Sequence, residues 1–247
     1  MALNVVGIVC ALASEARHLG PAVRFAEPLG KLADGTLVAV TGMGSAAAST
    51  GARALIGAGA TALASWGMAG GLDPTLSAGA ILLPTEVMGS DGKLINTARG
   101  WRDRLSSAVA AHAPVRSGRL LSTPRAIGSV AGKAALFQTT GAAAVDMESA
   151  AIGDVAEQHR LPFIAVRVVV DSAGDVLPRA VTAAADSEGH LQVWRLIGAL
   201  ALAPNEFAPL IRLARRYRAA NRSLATIARM GSLAPCAFSA SPDSHLS

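Results

Sequence analysis

Short, continuous apolar runs alternate along this sequence with alanine-rich segments long enough to form helices. Such runs lack a polar residue at every second position, which is typical of strands covered on both faces, as in a largely parallel sheet. The predicted strands are residues 4–10, 37–41, 61–66, 80–88, 119–122, 142–147 and 163–170. The predicted helices are residues 14–19, 45–58, 101–112, 128–137, 148–159, 190–202 and 207–230. The alternation predicts an α/β fold with a mixed, mostly parallel sheet flanked by helices.

Composition supports one folded domain with a short tail. Of the 247 residues, 51% are hydrophobic and 16% charged, which is the opposite of a disordered chain and enough for a large core. No linker interrupts the pattern before about residue 232. We therefore predict a single domain over residues 1–231. Residues 232–247, rich in Ser, Pro and Ala, are predicted to be a disordered tail.

Charge, cysteine and histidine patterns exclude several classes of protein. The net charge of +5 is not arranged as a basic stripe interleaved with aromatics, so no nucleic-acid partner is predicted. The two cysteines and five histidines show no metal-binding spacing, so no metal site is predicted. The apolar start has no basic residue before Arg17, and no run reaches the roughly 20 residues of a membrane helix. We expect a soluble, cytoplasmic protein.

Carboxylates and glycines collect just after the predicted strands. In open α/β sheets, ligands bind at the carboxyl ends of the strands, so these residues are expected to meet in one site. In chain order they are Glu15, the turn at 41–45, the glycine cluster at 67–71, Asp146 with Glu148, and Asp171. Packing alone seldom produces such a pattern, and a ligand site at this edge of the sheet is predicted.

The glycine turn at 42–44 resembles a dinucleotide-binding fingerprint, which also needs an acid about 20 residues further on. No Asp or Glu occurs between Asp34 and Asp73, so a nicotinamide-dependent oxidoreductase is disfavoured. Two interpretations stay open. Gly42, Gly44 and Ser45 either present backbone N–H groups to an anion, or simply form a tight strand-to-helix turn.

The later carboxylates also allow two interpretations. Asp146 is suited to capping the following helix, whereas Glu148 could bind the vicinal hydroxyls of a sugar with Met147 against an apolar ring. Asp171 ends an apolar strand, where burial would raise the pKa of its carboxyl and make it a general acid near neutral pH. Alternatively, Asp171 caps a helix or pairs with Arg167, and taken alone this structural interpretation is favoured.

Taken together, the segments resemble the nucleoside phosphorylase superfamily, in particular the methylthioadenosine/S-adenosylhomocysteine nucleosidases. The resemblance covers about residues 5–175, in the family's order, through GIVCALASEA, TGMG, GMAGGL, AVDMES and PFIAVRVVVDSAGD. The last third resembles the hopanoid-associated phosphorylase branch, which is thought to remove adenine from adenosylhopane. The resemblance implies an enzyme that cleaves an N-ribosidic bond, without a metal or organic cofactor, and a homodimer.

The resemblance also implies roles for particular residues. Glu15 would face the attacking water, Asp171 would protonate the purine at N7, Glu148 would bind the ribose hydroxyls and Met147 would lie beside sugar and base. Further substrate contacts are implied for the remaining matching positions, which are Met68, Gly70, Ile127 and Val170. The chemistry agrees with this division, because the reaction needs an acid at the leaving base and a nucleophile beneath an oxocarbenium-like sugar.

Departures from the family pattern bear on the nucleophile and the substrate. Ser65 and Met68 stand where many phosphorylases carry Arg and Ser for phosphate, so water attack is expected first. Phosphorolysis with inorganic phosphate as co-substrate is the alternative, and Gly42, Gly44 and Ser45 would then hold the anion. Residues 122–127 lack the aromatic that nucleosidases stack on the base, so Arg125 could supply a different contact. The shortened stretch 88–120 could open the 5′ side to a bulky apolar group.

The last predicted helix carries an apolar face with arginines mostly opposite. The apolar positions are Phe207, Leu210, Ile211, Ala214, Tyr217, Leu224 and Ile227. Packing on the sheet with a solvated basic face is the favoured interpretation. The alternative is peripheral contact with anionic lipid headgroups at the inner face of a membrane. A nucleoside-binding protein without catalytic activity also remains a rival to the enzyme.

Overall fold

The central sheet is seen in a computed structural model that describes residues 5–20, 29–176, 207–230 and 233. Its eleven strands are β1 (Val6–Cys10), β2 (Leu29–Lys31), β3 (Leu37–Val40), β4 (Ala62–Gly71), β5 (Ile81–Leu82), β6 (Glu86–Met88), β7 (Leu94–Asn96), β8 (Val115–Arg116), β9 (Arg119–Ser122), β10 (Ala142–Asp146) and β11 (Phe163–Asp171). The described helices are α1 (Ala13–Ala16), α2 (Ser45–Gly57), α3 (Arg99–Ala110), α4 (Val130–Thr140), α5 (Ser149–Gln158) and α6 (Phe207–Met230).

Strand β4 is the centre of the sheet. It pairs in parallel with β1 on one edge and with β11 on the other, and its carboxyl end also pairs antiparallel with β10. Among the described strands, six of the ten pairings are parallel. The predicted mixed, mostly parallel sheet flanked by helices is therefore confirmed.

The sheet is covered on both faces, as the continuous apolar runs predict. Alternate residues of β1 belong to different core clusters: Val9 packs with α2 and α5, whereas Ile8 packs with α3 and α6. The side chains are small, and alanines line both clusters. Close approach of backbones thus replaces the aromatic bulk that this chain lacks.

The differences from prediction have local causes. The predicted strand 61–66 continues through the glycines to Gly71, because β11 and β10 pair with them. The predicted strand 80–88 divides into β5 and β6 around Pro84, which cannot donate to a ladder. The short strands β2, β7 and β8 were not predicted. The predicted helix 190–202 and the predicted tail, apart from the buried Leu233, lie outside the described residues.

Helix α6 packs on β11 and α3 through its second half, where Ala220, Leu224 and Ile227 are buried. Ala214, one of the positions assigned to the apolar face, is exposed, so that assignment was wrong for this residue. The exposed arginines of α6 are Arg212, Arg215, Arg218, Arg222 and Arg229. Within the part of the chain that the structure describes, none of the helices is long and apolar enough to cross a membrane.

Candidate active site

Glu15 lies at the carboxyl ends of β1 and β4, fixed by backbone donors. Its Oε1 accepts from the Met68 N–H at 2.9 Å, and its Oε2 accepts from the Leu12 N–H at 3.1 Å. Only 4% of the residue is exposed, and this burial raises the pKa of Glu15, while the nearby Arg167 guanidinium opposes the rise. A carboxyl held in this way is oriented and poorly solvated, as a general base for water should be.

Gly67 makes room for that carboxyl. A Cβ on Gly67 would lie 2.6 Å from Oε1 of Glu15, which is closer than side chains pack. Gly70, three residues further along β4, lies beside the other carboxyl of interest: a Cβ there would be 3.4 Å from Oδ1 of Asp171. Three residues of strand span about 10 Å. The glycine cluster therefore does not follow the strand, as was predicted, but continues it and passes beside two carboxyl groups.

Glu148 is held by the glycine turn before α2. The Gly44 N–H donates to Oε1 of Glu148 at 2.9 Å, and the Ser45 hydroxyl donates to the Met147 carbonyl at 3.2 Å. Gly42 and Gly44 have φ of 82° and 98°, which favours glycine at both. The turn was predicted either to bind an anion or to be structural, and its Gly44 N–H binds the protein's own carboxylate.

Burial dominates the electrostatics of Glu148. Burial first, and then the neighbouring Asp146, raise the pKa of Glu148 to about 7, against the opposing effects of Arg167 and the Gly44 N–H. Glu15 also contributes to the rise, so the two glutamates lie within electrostatic reach of each other. Near neutral pH the site therefore holds a carboxyl poised between its two protonation states.

Asp146 has a structural role, as its capping interpretation predicts. It accepts from the Ser149 N–H at 3.1 Å at the start of α5, and from the Ser122 hydroxyl. Arg167 donates to it through Nε at 2.8 Å, and Nη2 of Arg167 donates to the Ser65 hydroxyl at 2.6 Å. Ser65, one of the positions expected to hold phosphate in relatives, is thus part of a buried network.

The ion pair between Arg167 and Asp171, which was one alternative given by the sequence, does not occur. Residues four apart in a strand are about 13 Å apart, so their side chains cannot meet across it. Asp171 instead pairs with Lys133 of α4, a residue that the sequence did not single out. The available signal was a lone lysine within an apolar helix, and nothing in the pattern connected it with a residue 38 positions away.

Asp171 is 5% exposed, and burial raises the pKa of its carboxyl, with Lys133 as the main opposing influence. The strand bulges between Val169 and Asp171, which places Asp171 opposite Gly70. The bulge therefore brings the predicted general acid to the glycine stretch of β4, on the same edge of the sheet as Glu15.

Most of the other predicted substrate contacts lie next to these carboxyl groups, whereas Ile127 packs elsewhere. Met68, Gly70, Met147 and Val170 are half-buried next to Glu15, Asp171 and Glu148 in sequence or in space. Ile127 is half-buried against the cluster around Leu72, Leu121, Ala142 and Val145. Arg125 is exposed. Among the residues that the structure describes, no group of His, Cys, Asp and Glu is arranged to hold a metal ion.

Comparisons with known proteins bear on the fold and the family. No curated protein sequence matches the chain. The 5′-methylthioadenosine/S-adenosylhomocysteine nucleosidase of Neisseria meningitidis, solved with methylthio-immucillin-A, superposes with a TM-score of 0.70 at 20% identity, over 92% of this chain and 98% of the other. Futalosine hydrolase of Helicobacter pylori gives a TM-score of 0.67 at 16% identity, over 92% and 98%. The corresponding nucleosidase of Campylobacter jejuni gives 0.66 at 18%, over 93% and 98%.

At these identities the structural likeness establishes the fold. The family follows from the sequence itself, because the model of the phosphorylase superfamily matches residues 5–199. That match spans β1 to β11 and includes all the carboxylates discussed above. The chain therefore belongs to the phosphorylase superfamily.

Proposed function

We propose that the protein hydrolyses the N-ribosidic bond of an adenine nucleoside. The observation that carries the proposal is the pair of buried carboxyl groups, Glu15 and Asp171, fixed beside Gly67 and Gly70 of one strand about 10 Å apart along it. Two carboxyl groups separated in this way can act on opposite sides of a scissile glycosidic bond. The fold shared with nucleosidases supports this assignment.

The reaction divides between three side chains. The C1′–N9 bond breaks with its electrons going to the base, and Asp171 gives its proton to N7 of adenine. A water oxygen bonds to C1′, and the proton that water loses passes to Glu15. Glu148 accepts hydrogen bonds from the ribose hydroxyls, which strengthen as positive charge develops on the sugar. Exchange with solvent then restores the proton on Asp171 and removes it from Glu15.

Water is favoured over phosphate because of the charges around the reaction centre. Glu15 and Glu148 would both repel a phosphate dianion, and the Arg167 guanidinium is already engaged by Asp146 and Ser65. Of the groups considered for phosphate, Gly42 donates its N–H to the Ala11 carbonyl at 3.0 Å and Gly44 donates to Glu148. Phosphorolysis, with the remaining N–H groups of the α2 terminus as the anion site, is the second candidate.

The substrate is proposed to carry an apolar group at the 5′ position, in the extreme case the hopane of adenosylhopane. The resemblance of the last third to the hopanoid-associated branch and the short stretch between residues 88 and 120 support this. A homodimer is also part of the proposal and rests on the resemblance alone.

A nucleoside panel tests the activity. The purified protein is incubated with adenosine, 5′-methylthioadenosine, a 5′-alkylthio adenosine with a long chain, and inosine, and free base is measured by chromatography. We expect adenine release that is fastest with the long apolar 5′ group. A preference for plain adenosine would contradict the 5′ assignment only, whereas no base from any nucleoside would contradict the reaction.

A further inference from the structure

The ammonium group of Lys133 is the most deeply enclosed charge beside the site. Lys133 is 0% exposed although it lies in the first turn of helix α4. Its Nζ donates to Oδ2 of Asp171, to the Ser172 carbonyl at 2.8 Å and to the Asp175 carbonyl at 3.2 Å. Three acceptors and no donor surround it, so all three protons of an ammonium are used and a neutral amine would leave one acceptor unfilled.

Of the described neighbouring carboxylates, Asp171 is the one that bonds to the Lys133 ammonium. Asp175, which follows on the same segment, uses its own carboxylate to accept from Ser172 and to pair with Arg216 of α6 at 2.6 Å. From β4, Gly70 contributes only backbone next to Asp171. Among the described residues, the charged groups that influence the Asp171 carboxyl are therefore Lys133, Asp175 and Arg216, and Lys133 is the one bonded to it.

We propose that Lys133 is a positioning residue that holds the Asp171 carboxyl in place and makes it a stronger acid toward the leaving base. This inference rests on the proposed function, in which Asp171 protonates N7 of adenine. When the proton leaves, the new carboxylate charge faces an ammonium that is already bonded and needs no reorganisation. Lys133 acts through the Asp171 carboxyl and touches neither sugar nor base.

Opposing effects explain why a cation is needed. Burial disfavours the ionised form of Asp171 and raises the pKa of its carboxyl, and the hydrogen bond and charge of Lys133 lower it. Without the cation, the carboxyl would hold its proton too firmly to give it up to the base. Without burial, it would be ionised at neutral pH and could not act as an acid at all.

The test compares Lys133→Met, Lys133→Gln and Lys133→Arg with the unaltered protein. The kcat for adenine release from 5′-methylthioadenosine is measured as a function of pH. The acid form of Asp171 is the active one, so kcat falls as pH rises through its titration. Removing the cation should move this alkaline limb upward by about 1–3 pH units. The arginine variant keeps the positive charge and should keep the alkaline limb near its original position. If the methionine variant does not fold, the glutamine variant tests the same point, because it removes the charge but can still donate hydrogen bonds.

Two further measurements separate the possible failures. Lys93→Met removes another ion-paired lysine, one that is 46% exposed and bonded to Asp154 and Glu157, and it should leave the pH profile unchanged.

The protonation of Asp171 is also followed without substrate by infrared difference spectroscopy, with Asp171→Asn to assign the carboxyl band. If no nucleoside is cleaved, the proposed function fails, yet the carboxyl titration still decides the role of Lys133. An unshifted titration and an unshifted alkaline limb in the methionine or glutamine variant would overturn the proposal, even if stability fell.

Discussion

At the residue scale, the three carboxyl groups of the site share one pattern: burial raises their pKa values, and a nearby cation opposes the rise. Burial raises the pKa of Glu15, Glu148 and Asp171 alike. Arg167 opposes the shift at the two glutamates, whereas Lys133 opposes it at Asp171. The carboxyls thus fall into two groups with separate cations, which matches a division between the sugar side and the base side of a nucleoside.

Asp171→Asn should remove the general acid. We expect kcat to fall by about 100-fold or more. At pH values where Asp171 is ionised, the variant should also lose about 3–5 kcal/mol of stability, because the buried ammonium of Lys133 then loses its counter-ion. Steady-state kinetics well below the midpoint of thermal unfolding separate the two effects. Asp154→Asn, at an exposed ion pair, is the matched control. Near-normal turnover in the Asp171 variant would remove this residue from the mechanism.

Glu148→Gln should change the pH dependence of kcat/KM. Only the carboxylate form of Glu148 can accept from both ribose hydroxyls, and its pKa is raised to about 7. In the unaltered enzyme, kcat/KM should therefore rise with pH through about 7, and the variant should lack this limb and be slower. The substitution should matter less for 2′-deoxyadenosine, which lacks one hydroxyl. Equal kcat/KM of the unaltered enzyme for ribo- and deoxyribonucleosides would show that Glu148 does not bind the sugar.

At the scale of elements, β4 determines the geometry of the site. It pairs with β1, β10 and β11, and its glycines run beside the carboxyl groups of Glu15 and Asp171. A side chain at Gly67 would occupy the place of the Glu15 carboxylate. Gly67 is therefore required by the close approach of the Glu15 carboxylate, whereas a Cβ at Gly70 would make an ordinary contact with Asp171.

Gly67→Ala should disturb Glu15 without adding any polar group. The new Cβ would lie 2.6 Å from Oε1, so the carboxylate must move and lose the Met68 N–H. We expect kcat to fall on the order of 100-fold and stability to fall by about 1–3 kcal/mol. Gly57→Ala, at the end of α2 with no atom within 4 Å of a Cβ, should keep full activity and gain up to about 1 kcal/mol. Full activity in the Gly67 variant would contradict the placement of Glu15.

The sequence predicted the elements better than the contacts between them. Continuous apolar runs located the long strands, and the rule about carboxyl ends of strands directed attention to Glu15, Glu148 and Asp171. The ion pair between Lys133 and Asp171 could not be predicted from the sequence, because the packing of α4 on the sheet brings the two residues together. Strand geometry could have excluded the Arg167–Asp171 pair in advance, since an i, i+4 spacing brings side chains together on helices and not on strands.

At the scale of the whole molecule, a chain of contacts links helix α6 to the site. Arg216 turns inward to Asp175, whose backbone carbonyl in turn accepts from Lys133. Ala220, Leu224 and Ile227 are already buried against the rest of the fold, so these three residues are not available to enter a lipid layer. The exposed arginines of α6 therefore predict a purely electrostatic, salt-sensitive attraction to anionic lipid.

Vesicle sedimentation tests that expectation. We expect binding to vesicles of anionic phospholipid at low ionic strength, no binding to zwitterionic vesicles, and release at high salt, because exposed charges are screened beyond about 10 Å at 0.1 M salt. Replacing Arg215, Arg218 and Arg222 together by Gln should weaken the binding, and Arg53→Gln on α2 serves as the control. Binding that resists salt would mean that an apolar surface enters the lipid.

The identity of the sugar product distinguishes water attack from phosphorolysis. The enzyme is given an adenine nucleoside in buffer free of phosphate and again with added phosphate, and the sugar product is identified by mass spectrometry. We expect adenine release without phosphate, the same free sugar in both buffers, and strong impairment of both reactions by Glu15→Ala. A strict requirement for phosphate, with a sugar 1-phosphate as the product, would contradict water attack directed by Glu15.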